Sequence, residues 1–191
     1  MTDKKFISAQ ELLEESVQLA IKVFESGFRP HFIVGIWRGG TPVGIAVQEL
    51  LDYFGVQTDN IAIRTSSYTG INQRSDRIMV HGLGYIVKKV NSEDSLLIVD
   101  DVYDTGLSVE AVLKSLKEKT RKNTPHDIRI ATVYYKPENN KTNKEPDYYL
   151  HKTDQWLVFP HELNGLTPEE IAHHKPRVAS LIRECKEKAG M

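Results

Sequence analysis

The chain has 191 residues, 40% of them hydrophobic, and a formal net charge of −1 at pH 7. This length favours one domain with a single hydrophobic core, and the near-zero net charge leaves no excess of positive charge to hold nucleic acid or anionic lipid. The longest apolar stretches have strand length, and the N-terminus lacks the apolar core of a signal peptide. We therefore expect a cytoplasmic protein with no nucleic-acid or membrane partner. Cys185 is the only cysteine, which excludes an intrachain disulfide.

The predicted elements alternate between helices and strands along the chain. A capping box at Ser8–Glu11 precedes an amphipathic helix that ends at Ser26-Gly27. Strands are predicted at 31–37, 60–64, 96–99, 128–135 and 148–151, and helices at 41–51 and 108–117. Residues 68–82 lack an apolar pattern and predict a long functional loop. The order predicts an α/β fold, with a mainly parallel sheet that binds ligands at the carboxyl ends of its strands.

The most informative segment is 96–108, which reads Leu-Leu-Ile-Val-Asp-Asp-Val-Tyr-Asp-Thr-Gly-Leu-Ser. A buried strand runs into acidic residues, then into a hydroxyl and glycine turn, then into a helix. Backbone N–H groups at the helix start, with the hydroxyls of Thr105 and Ser108, form a cup for one phosphate. Asp100, Asp101 and Asp104 would repel a bare phosphate, so the ligand should also offer hydroxyls or Mg²⁺. A phosphorylated sugar fits these requirements.

This segment resembles the signature of the type I phosphoribosyltransferases, whose ligand is 5-phosphoribosyl 1-diphosphate. The resemblance implies that Asp100 and Asp101 bind the ribose hydroxyls and Mg²⁺. It also implies that the loop Thr105, Gly106, Leu107 and Ser108 surrounds the 5′-phosphate. Tyr103 replaces the usual aliphatic residue, and Ser108 replaces the commoner threonine. The alternative interpretation is an ordinary strand-to-helix turn whose acids cap a helix.

A second loop follows the first predicted strand and reads Trp37-Arg38-Gly39-Gly40-Thr41. The two glycines let backbone N–H groups approach an anion, and Arg38 adds a positive charge. Taken alone, the loop is equally compatible with a tight turn. Its position matches the pyrophosphate loop of the resembled family, which implies that the Trp37–Arg38 peptide is cis.

Ser67 and Tyr68 resemble the serine-tyrosine pair in the flexible lid of the purine enzymes in this family. A developing ribosyl cation must be covered from water during the reaction, which gives such a lid a physical purpose. We expect the lid at 66–82, within a core of about 30–135. The alternative is a solvated hairpin with an incidental Ser-Tyr pair.

The C-terminal half resembles the purine-binding hood of the hypoxanthine, guanine and xanthine phosphoribosyltransferases, especially the bacterial xanthine-guanine type. The resemblance implies that Lys136 donates to O6 of the base, that Trp156 stacks on the ring, and that the carbonyl of Leu157 reads the edge near C2. Glu162 matches an acid near the diphosphate and metal, although Asp is more usual there. We expect a small hood at 136–162 and a terminal helix at 177–188. The resemblance covers roughly residues 30–162.

The expected reaction transfers a 5-phosphoribosyl group to N9 of a 6-oxopurine, with Mg²⁺ as cofactor and release of pyrophosphate. Asp104 is the predicted general base or proton acceptor at N7. Alternatives are transfer to another base, such as adenine or orotate, and a non-catalytic sensor of nucleotides or 5-phosphoribosyl 1-diphosphate. A further hypothesis is that guanosine tetraphosphate (ppGpp) occupies the two anion loops and the purine hood and inhibits the enzyme. The family resemblance implies a dimer or tetramer.

Overall fold

The computed structural model describes residues 4–68 and 77–190. The chain divides into two compact units. The larger is Gln10–Asp154, and the smaller joins the N-terminal residues through Ala9 with the residues from Gln155 onward. The boundaries of core, lid and hood within a single domain stay predictions.

Eight strands and six α-helices are present in the described residues. The strands are β1 (Lys4–Phe6), β2 (Phe32–Trp37), β3 (Asp59–Tyr68), β4 (Arg77–His81), β5 (Ser95–Tyr103), β6 (Asp127–Tyr135), β7 (Tyr148–Lys152) and β8 (Trp156–Val158). The helices are α1 (Ala9–Glu25), α2 (Gly40–Tyr53), α3 (Gly84–Lys89), α4 (Leu107–Thr120), α5 (Pro168–His174) and α6 (Pro176–Ala189).

The larger unit is built on a six-stranded sheet in the order β4-β3-β2-β5-β6-β7. Every neighbouring pair is parallel except β3 and β4. Apolar runs fill the central strands because both sheet faces are covered: Leu96 to Val99 of β5 are all buried. Helix α4 contributes Val109, Val112 and Leu116 to the core on one face. The predicted α/β fold with a mainly parallel sheet and flanking helices is confirmed.

The segment between the second and third predicted strands differs from the expectation of one loop over 68–82. Strand β3 continues to Tyr68, and β4 pairs with it in the antiparallel register Arg64↔His81 to Tyr68↔Arg77. Backbone pairing stabilises the polar end of β3 as a strand, and β4 adds a short apolar run, Ile78 to Val80, of which Val80 packs against the core. Residues 69–76 lie outside the described residues, and the lid itself stays a prediction. Residues 84–89, which follow, form helix α3.

The smaller unit contains a two-stranded parallel sheet and the helices α5 and α6. Strand β1 pairs with β8 in the register Lys5↔Leu157. A capping box of Thr167 and Glu170 starts α5, and α6 lies where the sequence predicts a terminal helix. Across the described ranges 4–68 and 77–190, no helix has the length and apolar character needed to span a membrane.

Candidate active site

The carboxyl end of β5 carries the first two acids of the signature. The N–H of Asp101 donates to Asp100 Oδ1 at 3.0 Å, and the N–H of Val102 donates to Asp101 Oδ1 at 2.8 Å. Burial, and then the neighbouring Asp101 carboxylate, raise the pKa of the Asp100 carboxyl well above its ordinary value. Hydrogen bonds from backbone groups, including that of Gly40, only partly oppose this. The pair is thus a site where a hydroxyl donor or a cation would relieve unfavourable charge.

The Arg38 loop lies directly beside these acids because β2 and β5 are neighbours in the sheet. A Cβ atom on Gly39 would overlap the Asp101 carboxylate, and one on Gly40 would lie 2.9 Å from Asp100 Cα. Only glycine therefore allows the two loops to approach this closely. The Trp37–Arg38 peptide is cis, as the resemblance implies, and the Arg38 side chain is exposed.

The turn between β5 and α4 has the form expected of a phosphate cup. Gly106 has φ +75°, which favours glycine, and a Cβ atom there would lie 2.6 Å from the hydroxyl oxygen of Tyr103. The N–H of Leu107 is 3.4 Å from Thr105 Oγ1. Helix α4 begins at Leu107, so its first N–H groups point toward this turn and favour an anion there.

Tyr103, the departure from the family pattern, anchors the polar connection that follows β6. Its buried hydroxyl contacts Thr142 Oγ1 at 3.0 Å and donates to the carbonyl of Lys144 at 3.1 Å. The N–H of Lys141 also donates to the carbonyl of Thr105 at 3.0 Å. An aliphatic residue would lack the hydroxyl contacts, so tyrosine here ties the connection to the phosphate cup.

Asp104 has two partners from that connection. Lys136 Nζ lies 3.6 Å from Asp104 Oδ2, and the Lys136 side chain is buried while Asp104 is partly exposed. Asn139 Nδ2 donates to Asp104 Oδ1 at 2.8 Å. The 3-10 turn Pro137–Asn139 brings the amide back toward the signature. Sequence reasoning identified Lys136 but missed Asn139; the Lys-Pro dipeptide, which starts a turn at the end of β6, was the available signal.

Other predicted site residues are not brought into this cluster by the described structure. Ser67 and Tyr68 are placed only by their backbone, which pairs with Ile78 and Arg77 of β4. Trp156, Leu157 and Glu162 belong to the smaller unit. Trp156 is 60% exposed and Leu157 is buried, and Glu162 Oε2 accepts from the N–H of Phe159 at 3.1 Å. Their roles stay predictions.

The paired acids, the glycine loop beside them and the phosphate cup agree with a comparison against protein families. The model described as "Phosphoribosyl transferase domain" matches residues 6–164. The chain belongs to the phosphoribosyltransferase family. The match spans the whole of the larger unit and reaches the part of the smaller one that contains β8.

Related proteins and structures fall in the same family. This phosphoribosyltransferase is 24% identical over 157 residues to the hypoxanthine-guanine phosphoribosyltransferase of Streptococcus mutans, covering 81% of each chain. A crystal structure of a purine phosphoribosyltransferase from Pyrococcus horikoshii is 26% identical, with a TM-score of 0.66, and the alignment covers 86% of this chain and 97% of that one. A hypothetical protein from Neisseria gonorrhoeae with bound ppGpp shares the fold at 20% identity and a TM-score of 0.72, covering 95% and 98% of the two chains.

The paired acids of this phosphoribosyltransferase have the chemistry to hold a magnesium ion. Asp100 and Asp101 supply the hard carboxylate oxygens that Mg²⁺ prefers, and the raised pKa of Asp100 reports a carboxylate that a cation would stabilise. Within residues 4–68 and 77–190, no group of three or more acidic, histidine or cysteine side chains could hold a metal unaided. Mg²⁺ commonly binds one or two carboxylates and completes its shell with phosphates and water, which agrees with this arrangement.

Proposed function

We propose that this phosphoribosyltransferase acts in purine salvage. It transfers the 5-phosphoribosyl group of 5-phosphoribosyl 1-diphosphate to N9 of a 6-oxopurine and releases pyrophosphate. The observation that carries the proposal is the pairing of Lys136 with Asp104 at the edge of the phosphate cup. The relatives named hypoxanthine-guanine phosphoribosyltransferase support the same substrate class.

Asp100, Asp101 and the Arg38 loop act on the sugar and its leaving group. The two carboxylates accept hydrogen bonds from the ribose hydroxyls, and the phosphate cup holds the 5′-phosphate. The backbone of Gly39 and Gly40, with the Arg38 guanidinium, faces the diphosphate. As the C1–O bond breaks, negative charge grows on the leaving diphosphate, and these donors stabilise it. Asp100 and Asp101 would hold a Mg²⁺ ion, which would supply further charge neutralisation for the leaving diphosphate.

Lys136 and Asp104 act on the base. A lysine ammonium can only donate hydrogen bonds. Lys136 therefore donates to the oxygen of a 6-oxo group and disfavours the 6-amino group of adenine, which is also a donor. An ionised aspartate accepts hydrogen bonds and donates none, so Asp104 serves as the acceptor for the proton at N7 as N9 attacks C1. Asn139 donates to one Asp104 oxygen and leaves the other toward Lys136 and the base.

The remaining roles complete the site in this proposal. Trp156 stacks on the purine, the carbonyl of Leu157 reads the ring near C2, and Glu162 lies near the diphosphate and metal. Ser67 and Tyr68 belong to a lid that covers the ribosyl cation from water. The exposed indole of Trp156 supports the stacking role, because an aromatic ring must be accessible to receive a base.

Asp104→Asn tests the proposed chemistry. An amide keeps the shape of the side chain but is a far weaker proton acceptor, so we expect turnover to fall by about 10²- to 10⁴-fold. Binding of 5-phosphoribosyl 1-diphosphate should stay within a few-fold of the original, since the phosphate cup and the acids on β5 remain. Asp154→Asn, at an exposed position, is the matched control. Unchanged turnover in Asp104→Asn would overturn the assignment.

Guanosine tetraphosphate is a second proposed ligand of the same site, as an inhibitor. The structural neighbour from Neisseria gonorrhoeae contains bound ppGpp, and this chain combines two anion loops with a proposed purine hood. Steady-state inhibition with increasing ppGpp should be competitive with 5-phosphoribosyl 1-diphosphate. Full activity at saturating ppGpp would contradict this role.

A further inference from the structure

A tight turn follows β8 in the smaller unit, and we call residues 159–162 the hood turn. The N–H of Glu162 donates to the carbonyl of Phe159 at 3.0 Å. The N–H of Phe159 donates in return to Glu162 Oε2 at 3.1 Å. Pro160 occupies the second position, where its fixed φ favours such a turn. Two reciprocal hydrogen bonds therefore close the turn and also hold the Glu162 carboxylate.

Lys175 binds the hood turn through its side chain. Its ammonium donates to the carbonyl oxygens of Phe159 at 2.7 Å, Pro160 at 2.9 Å and Glu162 at 2.7 Å. An ammonium has three N–H donors, so one carbonyl is present for each of them. Burial lowers the pKa of Lys175, and the nearby Glu162 opposes this shift. A partly buried cation with three backbone acceptors is a specific contact, unlike an exposed surface lysine.

The main chain of Lys175 is also fixed. Its N–H donates to the carbonyl of Ile171 at 2.8 Å, which ends α5, and Pro176 begins α6 directly after it. Lys175 therefore projects from the junction of two helices, and its side chain has a well-defined origin.

The same helix α5 contacts the strand that pairs with β8. Lys4 Nζ donates to Glu170 Oε1 at 2.7 Å, and the rings of Phe6 and His174 stack with centroids 3.6 Å apart. Strand β1 in turn pairs with β8 along its whole length. Strand β8 is therefore held on one side by β1, and the hood turn after it is held by Lys175.

We propose that Lys175 is a positioning residue for purine recognition, because it fixes the hood turn and thereby the strand that presents Trp156 and Leu157. The inference rests on the proposed function, in which those two residues contact the base. It assigns a role in substrate binding to the segment beyond residue 164, where the family match ends. Lys175 acts without touching substrate: a loosened turn lets β8 shift, and a small displacement of binding groups is costly.

Two ligands separate this role from general stability. GMP offers a phosphate and a purine base, whereas ribose 5-phosphate lacks the base. In Lys175→Met we expect GMP affinity, measured by calorimetry, to fall about tenfold, since displaced binding groups cost about that much or more. Ribose 5-phosphate affinity should stay within twofold. Lys188→Met, an exposed lysine of α6, is the matched control and should leave both affinities unchanged.

Unchanged GMP affinity in Lys175→Met, or an equal loss for both ligands, would overturn the inference. If Lys175→Met does not fold by circular dichroism, Lys175→Arg replaces it. A planar guanidinium keeps the charge but cannot direct three donors at three converging carbonyls, so a smaller, GMP-specific loss is expected. Unaltered GMP binding in that variant would equally refute the role. Failure of the purine site in the proposed function is distinguishable, because the unsubstituted protein would then bind GMP no better than ribose 5-phosphate.

Discussion

Asp100→Asn should make the protein more stable while weakening substrate binding. Burial and the adjacent Asp101 carboxylate raise the pKa of Asp100, so the ionised form is disfavoured in the folded state. Each unit of raised pKa corresponds to about 1.4 kcal/mol of lost stability once the group is ionised. Asparagine keeps the shape and still accepts the hydrogen bond from the Asp101 N–H at 3.0 Å. We therefore expect Asp100→Asn to be more stable than the unsubstituted protein at pH 8, with a higher Tm.

The pH dependence gives this prediction its sign. Because the folded protein holds the Asp100 proton more tightly than the unfolded chain, wild-type stability from this group is present at low pH. It is lost as the pH rises through the raised pKa. The stability advantage of Asp100→Asn should therefore be greatest at pH 8 and should shrink as the pH falls toward 3.8, the ordinary pKa of an aspartate.

Two assays check the prediction. At this chain length, each kcal/mol raises Tm by about 2–4 °C in thermal unfolding. Asp100→Asn also loses a hydrogen bond between a charged group and the ligand. In calorimetry with Mg²⁺, the affinity of the variant for 5-phosphoribosyl 1-diphosphate should therefore fall about 10- to 100-fold. Asp154→Asn, an exposed control, should change neither. A lower Tm at pH 8, or an advantage that grows as the pH falls, would refute the argument.

Three further substitutions probe the neighbouring contacts. Asn139→Ala removes the 2.8 Å hydrogen bond to Asp104, so kcat should fall about fivefold for a loss of about 1 kcal/mol, with little change in KM; equal kcat would exclude a positioning role. Gly39→Ala places a methyl group against the Asp101 carboxylate and should weaken diphosphate binding at least about tenfold. Unaltered affinity in calorimetry would contradict the argument that only glycine lets the two loops approach. Tyr134→Phe removes a buried donor to Glu15, and denaturant unfolding should show a loss of about 1–3 kcal/mol with unchanged kcat; equal stability would show that the hydroxyl contributes nothing.

The signature loop could be predicted because its information is local. A buried strand, acids, a glycine turn and a helix start follow one another within 96–108, and the structure has them in that order. The close approach of the Arg38 loop depends on β2 and β5 being neighbouring parallel strands; the family resemblance, and not the alternation of elements, anticipated it.

Other features depend on contacts that no local pattern records. Strand β4 forms because β3 offers an unpaired edge, and its apolar run of Ile78, Met79 and Val80 is too short to predict a strand inside a polar segment. Asn139 reaches Asp104 only because a 3-10 turn reverses the chain. In the sequence, nothing distinguishes Lys175 from any other lysine between two helices. Its proposed role depends on hydrogen bonds to three carbonyl oxygens more than ten residues earlier. Such interactions require the folded chain.

The most direct test of the central proposal is nucleotide formation from 5-phosphoribosyl 1-diphosphate and Mg²⁺ with hypoxanthine, guanine, xanthine and adenine offered separately. Because Lys136 can donate to a 6-oxo group but cannot accept from a 6-amino group, we predict nucleotide and pyrophosphate from at least one 6-oxopurine and none from adenine. No product from any base, despite tight binding of the diphosphate or of a guanine nucleotide, would contradict catalysis and leave a nucleotide sensor. Product from adenine alone would contradict the role of Lys136.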